Sequence, residues 1–100
     1  MSPYIGVTFF NMPENQSVES AIHRWVARLE RVGIEVRRAD ITIEPARRGG
    51  AAVALRLVLG NGAVRTAETQ HADIYVGVAD AFRAVKRQVK PLGAPAAVAF

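Results

Sequence analysis

Apolar residues recur along the chain with two different periods, and the changes of period predict six secondary-structure elements. Spacings of three and four residues, which are typical of amphipathic helices, run over residues 18–32 and again between Asp73 and Pro91. Alternation with a period of two, or a short β-branched and aromatic run, marks four segments that we predict to be strands. These segments are residues 4–10, 35–44, 51–59 and 63–69.

The first predicted helix has an apolar stripe and a recognisable signal at each end. Ser17 precedes the stripe and is suited to cap the helix, because its hydroxyl can accept a hydrogen bond from a free amide of the first turn. Gly33 follows the stripe, at the position where a left-handed residue commonly ends a helix. We predict that the stripe is buried, and its members are Val18, Ile22, Trp25, Leu29 and Val32.

The second predicted helix begins after Asp73, whose carboxylate is a good N-cap, and ends before Pro91. Residues 91–100 are rich in alanine and proline and carry no charge, so we expect them to form a loose C-terminal tail. The predicted buried stripe of this helix comprises Tyr75, Val78, Phe82, Val85 and Val89.

A glycine-rich segment at residues 60–62 predicts a hairpin between the third and fourth strands, because Asn and Gly tolerate the positive φ of tight turns. The length of this turn decides which face of the fourth strand is buried. A two-residue turn directs Val64 inward, whereas a three-residue turn directs Arg65 and Ala67 inward. We favour the three-residue turn.

These elements predict an α+β fold with the order β-α-β-β-β-α. Strands two to four are joined by short turns and pair as antiparallel hairpins, whereas the first two strands are separated by a helix and must pair in parallel through a right-handed crossover. Because the second and third strands each have one apolar face, both helices must cover the same face of the sheet. We therefore predict a two-layer sandwich of a four-stranded mixed sheet and two parallel helices, with one domain at residues 1–90 and the tail at residues 91–100.

Composition narrows the class of protein. The 100 residues, of which 50% are apolar and 22% are charged, suffice for one globular core. No apolar run approaches the roughly 20 residues of a membrane-spanning helix, and the N-terminus lacks a secretory pattern. The absence of cysteine excludes disulfides and thiolate metal sites. We therefore expect a cytoplasmic protein with no membrane partner.

The sequence contains few residues in arrangements that are typical of catalytic sites. His23 and His71 have no cysteine and no spaced acidic partner, so we predict no metal site. The sequence also lacks a nucleophile beside a base, a glycine-rich phosphate loop and paired carboxylates at catalytic spacing. We therefore predict that the protein is not an enzyme, and that it uses no cofactor and no small-molecule substrate.

Positive charge is the remaining functional signal. The net charge is +4 and the sequence pI is near 10.3, which permits binding to a polyanion without requiring it. Cations late in a helix also complement the helix dipole, and that explanation needs no ligand. From the helical rotation of 100° per residue we predict two basic stripes that point away from each other, with a neutral seam between them. In this seam Glu19, His23 and Glu30 are predicted to face Gly77, Ala81 and Ala84.

Two segments resemble one known protein family. The first includes residues 12–13, 17–22 and 28–31 (MP, SVESAI and RLER), and the second is residues 73–90 (DIYVGVADAFRAVKRQVK). Both are similar to the helical regions of the ribosome hibernation promoting factor family, whose members are also called ribosome-associated inhibitors or ribosomal subunit interface proteins. The resemblance extends over residues 4–90, and the predicted order of elements matches that of the family.

The resemblance implies a ribosome-associated protein of the short form of this family. Such proteins bind the small ribosomal subunit in the channel used by messenger and transfer RNA, and so silence idle bacterial ribosomes without catalysis or a cofactor. Their contacts come from basic residues on the two helices. The matching positions, which we predict to bind ribosomal RNA, are Arg24, Arg28, Arg31, Arg83, Lys86, Arg87 and Lys90.

The chain departs from the family pattern in three places. Residues 10–13 lack the basic residue that relatives often carry there, the second helix has no charged extension, and the dimerisation domain of the long members is missing. Because that domain pairs ribosomes in the long members, we expect a monomer.

Two other interpretations remain open. One is a double-stranded-RNA-binding module, which shares the order α-β-β-β-α but places its lysines at the start of the last helix. The other is a protein-interaction or oligomerisation module that uses the exposed face of the sheet. That face is predicted to carry Arg38, Thr42, Arg56 and Val58. The aromatic residues Trp25, Tyr75 and Phe82 are predicted to lie in the core and not to stack on bases.

Overall fold

The structure is a computed structural model that describes residues 3–89, which form one sheet covered by two helices. The elements are β1 (Tyr4–Phe9), α1 (Gln16–Arg31), β2 (Val36–Pro45), β3 (Ala51–Leu59), β4 (Val64–His71) and α2 (Ile74–Gln88). The strands lie in the order β1-β2-β3-β4, with β1 parallel to β2 and the other neighbours antiparallel. Neither helix in this part of the chain is long and apolar enough to cross a bilayer. The predicted tail lies outside the described residues.

The predicted α+β sandwich is confirmed, with both helices on one face of the mixed sheet. Both helices begin at the same end of that sheet. α1 follows the end of β1, where Phe9 pairs with Ile43 of β2, and α2 follows the end of β4, where His71 pairs with Ala51 of β3. The helices therefore run in the same direction, from the β2–β3 turn toward the β3–β4 turn.

The helix ends follow local hydrogen bonding. The cap of α1 is Asn15 and not the predicted Ser17, because the Asn15 Oδ1 accepts from the amide of Ser17 at 2.9 Å and the helix starts two residues earlier than predicted. Asp73 caps α2 as predicted, and its Oδ1 accepts from the amide of Tyr75 at 2.8 Å. Gly33 ends α1 with a φ of 91°, as its position in the sequence predicts.

One hydrophobic core fills the space between the sheet and the helices, and within residues 3–89 it contains no buried polar or charged residue. Two predicted core positions are wrong, since Val32 is 48% exposed and Tyr75 is 45% exposed. Val32 lies just past the end of α1. In the first turn of α2 it is Ile74, and not Tyr75, that packs against the core. The predicted core positions that are fully buried are Val18, Ile22, Leu29, Val78, Phe82 and Val85.

The register of β4 agrees with the favoured three-residue turn. Gly62, with a φ of 88°, completes a turn of residues 60–62 between β3 and β4. Ala67 pairs with Leu55, and Arg65 pairs with Leu57. Directly opposed residues of neighbouring strands point to the same face, so Ala67 and Arg65 lie on the face that the helices cover.

The other face of the sheet is not covered by any element of the described chain. Opposed residues across three strands on this face include Thr42 on β2, Ala54 on β3 and Glu68 on β4. The face also carries the exposed apolar side chains of Tyr4 and Val64. Arg56 lies on the same face, next to Asp40 of β2. This face is therefore of mixed charge and lies opposite to the helices.

Alanine substitutions at two glycines are expected to have opposite effects on the free energy of unfolding. A Cβ at Gly77 would lie 3.4 Å from Val53 Cγ2 of the sheet, an ordinary contact, so Gly77→Ala should raise the free energy of unfolding by about 0.5–1 kcal/mol, the cost of a helical glycine. Gly50 has a φ of +79°, and a Cβ there would overlap the carbonyl oxygen of His71. Gly50→Ala should therefore lower the free energy of unfolding by more than about 1 kcal/mol. Urea denaturation measures both changes, and a Gly77→Ala protein less stable than wild type contradicts this packing.

Candidate nucleic-acid interface

Two stacked aromatic rings join the helices. The ring centroids of Trp25 on α1 and Phe82 on α2 are 5.8 Å apart, and the ring planes differ by only 9°. Phe82 is fully buried, whereas Trp25 is only partly buried and lies at the edge of the core. The prediction that both are core aromatics is therefore confirmed for Phe82. Trp25 packs against the core but is itself only partly buried.

Two arginines from different helices approach the indole of Trp25. The guanidinium carbon of Arg28 is 5.0 Å from the centroid of the indole, and that of Arg83 is 5.6 Å from it. A guanidinium over a Trp face is attracted by the quadrupole of the ring, most strongly for Trp among the aromatic side chains. The indole therefore holds one cation of α1 and one cation of α2 at the same place.

The surroundings of this ring form a groove between the second halves of the two helices, which we call the basic groove. Its floor is apolar, and its walls carry two cations from each helix. All four of these cations are exposed to solvent. The lining residues are Trp25, Arg28, Leu29, Arg31, Val32, Arg83 and Lys86.

The predicted arrangement of two basic stripes with a neutral seam between them is wrong. The helices face each other through the sides that carry Trp25 and Phe82, because these large rings fill the space between them. Gly77, which was predicted to face α1, instead lies against the sheet, where Thr69 Oγ1 donates to the Gly77 carbonyl oxygen at 2.7 Å. The basic flanks of the helices consequently border one groove.

The other predicted RNA-binding residues lie away from this groove or beyond the described chain. Arg24 is exposed near the middle of α1, in a depression with His23 and Glu19. Arg87 is exposed in the last turn of α2 and does not line the basic groove. Lys90 lies outside the described residues. The structure thus brings together Arg28, Arg31, Arg83 and Lys86 out of the seven predicted positions.

The charge of the groove is little neutralised by nearby acids. Asp80 pairs with Arg83 at 3.5 Å, and both side chains are about half exposed, so this ion pair is weak. Within residues 3–89, Arg28, Arg31 and Lys86 form no ion pair. The helix dipole accounts for cations in the last turns, but Arg83 lies before the last turn of α2. The dipole also gives no reason for the cations of two helices to meet on one ring.

The exposed face of the sheet contains a cation that is already paired. Arg38 Nε donates to Asp40 Oδ2 at 2.7 Å, and its guanidinium carbon lies 4.7 Å from the centroid of the Tyr4 ring. The hydrogen bond to Asp40 raises the pKa of Arg38 above its ordinary value. This cation is thus paired within the sheet face, whereas Arg28, Arg31 and Lys86 of the basic groove form no ion pair within residues 3–89.

Sequence reasoning did not find the groove, although part of its signal is present in the sequence. Arg28 follows Trp25 by three residues, a spacing that makes neighbours on a helix surface, and Arg83 directly follows Phe82. The spacing does not reveal that the two rings stack across the helices.

In the described part of the chain, no group of three or more His, Asp or Glu side chains lies close enough to hold a metal ion.

Comparison with known proteins gives a family and a fold. The profile of the Sigma 54 modulation protein / S30EA ribosomal protein family matches residues 5–92. The N-terminal domain of Thermus thermophilus protein Y is 21% identical with a TM-score of 0.73, over 88% of this chain and 94% of that one. A ribosomal subunit interface protein from Coxiella burnetii is 15% identical with a TM-score of 0.72, over 85% and 91%. No curated protein sequence matches the chain. Since the family profile spans nearly all of its length, the chain belongs to the Sigma 54 modulation protein / S30EA ribosomal protein family.

Proposed function

We propose that this chain is a ribosome hibernation factor that binds ribosomal RNA of the small subunit through the basic groove and so inhibits translation. The observation that carries the proposal is the convergence of cations from two helices, Arg28 and Arg31 with Arg83 and Lys86, on one apolar floor. Membership of a ribosomal protein family supports a ribosomal partner. The action is one of binding in the cytoplasm, with no catalytic step, cofactor or small substrate.

The groove is suited to recognise the shape and phosphates of folded RNA, and not a particular base sequence. Arginine presents a planar fork of donors that matches a phosphate, and lysine adds a mobile point charge. Structured RNA is recognised mostly through its shape, its phosphates and its 2′-hydroxyls, because side chains cannot enter its deep major groove. Arg24 and Arg87 would then add contacts outside the basic groove, and Lys90 stays a predicted RNA-binding residue. A protein held in this way occupies the subunit surface and blocks other ligands of that surface.

The two alternative functions have less support. A double-stranded-RNA-binding module needs lysines at the start of its last helix, whereas α2 starts with Ile74 and Tyr75 after the acidic cap Asp73. An interaction module on the exposed sheet face would use Arg38, which is already paired with Asp40. Neither alternative explains why the unpaired cations of the two helices face each other.

The proposal predicts binding to small ribosomal subunits that weakens steeply with salt. Each phosphate contact releases condensed counterions, so about four contacts should give a log–log slope of about −2.8 to −3.6. The affinity should then fall roughly 50- to 150-fold between 50 and 200 mM salt. Co-sedimentation with purified small subunits over a salt series measures this slope, and large subunits serve as the control. Failure to pellet with small subunits, or binding that does not change with salt, contradicts the proposal.

A further inference from the structure

Trp25 occupies a place in the basic groove that packing alone does not require. The ring is only partly buried, yet it is stacked on the fully buried Phe82 and approached by arginines of both helices. We propose that Trp25 is a positioning residue, which orients Arg28 and Arg83 together for contact with RNA phosphates. This inference rests on the proposed function and assigns a residue role within the same site.

The reason lies in the freedom of long side chains. An exposed arginine samples many rotamers, and ordering it on binding reduces affinity, so a side chain held in place beforehand binds more tightly. Arg28 and Arg83 belong to different helices, and a residue at the helix interface can restrict both of them. Phe82 keeps the indole plane fixed, because its own side chain is fully buried.

The geometry leaves the arginines free to bind. A guanidinium stacked on an aromatic face keeps its N–H donors around its edge, where they can reach a phosphate. Arg31 and Lys86 also line the groove but are not stacked on a ring. The groove thus contains two cations that lie over the indole ring, Arg28 and Arg83, and two that do not.

Direct stacking of an RNA base on Trp25 is the competing role. Phe82 stacks on the indole with a centroid distance of 5.8 Å, and two guanidinium groups approach within 5.0 and 5.6 Å of the indole centroid. Little of the π surface therefore remains for a base. A positioning role makes the effect of Trp25 depend on the arginines, whereas a stacking role does not.

The test is a double-mutant cycle measured by binding to purified small ribosomal subunits at one low salt concentration. Trp25→Leu removes the π face but keeps an apolar side chain, and it should weaken binding roughly three- to tenfold. Trp25→Phe keeps a flat ring and should stay within about twofold of wild type. In a background of Arg28→Gln with Arg83→Gln, Trp25→Leu should change the affinity by less than about twofold. Circular dichroism and thermal unfolding check that each variant is folded at the temperature of the binding assay.

The outcomes separate the inference from the proposed function. Wild-type affinity of Trp25→Leu overturns the positioning role, and an undiminished loss in the glutamine background shows that Trp25 contacts RNA directly. If the two glutamines themselves leave binding unchanged, the basic groove is not the RNA site and the proposed function falls. A measurement on the wild-type protein needs no variant to fold: the side-chain NMR signals of Arg28 and Arg83 should show ring-current shifts, and signals at ordinary positions overturn the inference.

Discussion

Reversing the charge at both Arg28 and Arg83 is expected to abolish co-sedimentation with small ribosomal subunits while the protein stays folded. Glutamate at these positions removes two phosphate contacts and adds two charges that the RNA repels, so the affinity at moderate salt should fall by at least about 100-fold. The log–log salt slope should also become shallower by about 2. Both arginines are exposed, and their contacts with Trp25 are worth only about 0.5–1 kcal/mol each.

A matched control is available at the other end of the sheet. Arg47 and Arg48 lie exposed in the β2–β3 turn, where the helices begin, whereas the basic groove lies between their second halves. Reversing both of these charges changes the net charge by the same amount, yet it should weaken binding only slightly. If the two double variants lose affinity equally, then general attraction between a basic protein and RNA explains the binding, and the groove has no special part in it.

Truncating Phe82 is expected to have the largest effect on stability. Its side chain is 1% exposed, lies in the middle of the buried face of α2 and supports the ring of Trp25. Phe82→Ala should therefore lower the free energy of unfolding by about 3–5 kcal/mol through lost burial and the cavity that remains. Urea denaturation followed by circular dichroism measures the change, which is a large part of the total stability of a domain of this size.

Tyr75→Ala is the matched comparison on the same helix. The sequence pattern predicts that Tyr75 is buried, but the side chain is 45% exposed in the structure. Its removal should cost no more than about 1 kcal/mol, because little buried surface is lost. Similar losses for Tyr75→Ala and Phe82→Ala would show that the α2 stripe packs as the sequence alone predicted and not as the structure has it.

Element types and order could be predicted from the sequence because local chemistry determines them. The alternation of apolar and polar residues in β2 and β3 fits only a strand with one buried face. The limits of β3 at Ala51 and Leu59 agree with the prediction. The hairpin turn at residues 60–62 fixes the register of β4. The cap of the first helix is Asn15 and not the predicted Ser17, since both residues can cap and the pattern between them does not distinguish the two starts.

The site could not be predicted in the same way, because it depends on how two helices are turned toward each other. Each helix has a flank on either side of its apolar stripe, and sequence periodicity identifies the stripe without saying which flank meets the neighbouring helix. Trp25 stands at the border of its stripe and fits either the core or the interface. Once Trp25 stacks on Phe82, the flank with Arg28 must face α2, and the predicted neutral seam cannot form.

The position of β1 has a consequence for the order in which the chain assembles. β1 is an edge strand that pairs in parallel with β2 after the whole of α1, and its inward residues Ile5, Val7 and Phe9 are only partly buried. The β2–β3–β4 meander closes through short turns, so its contacts cost little loop entropy and can form early in folding. β1 must wait for the crossover to form. We therefore expect the N-terminal strand to dock last and to detach first. The basic groove, built on α1 and α2, is complete only when α1, the helix of the β1–β2 crossover, is packed beside α2.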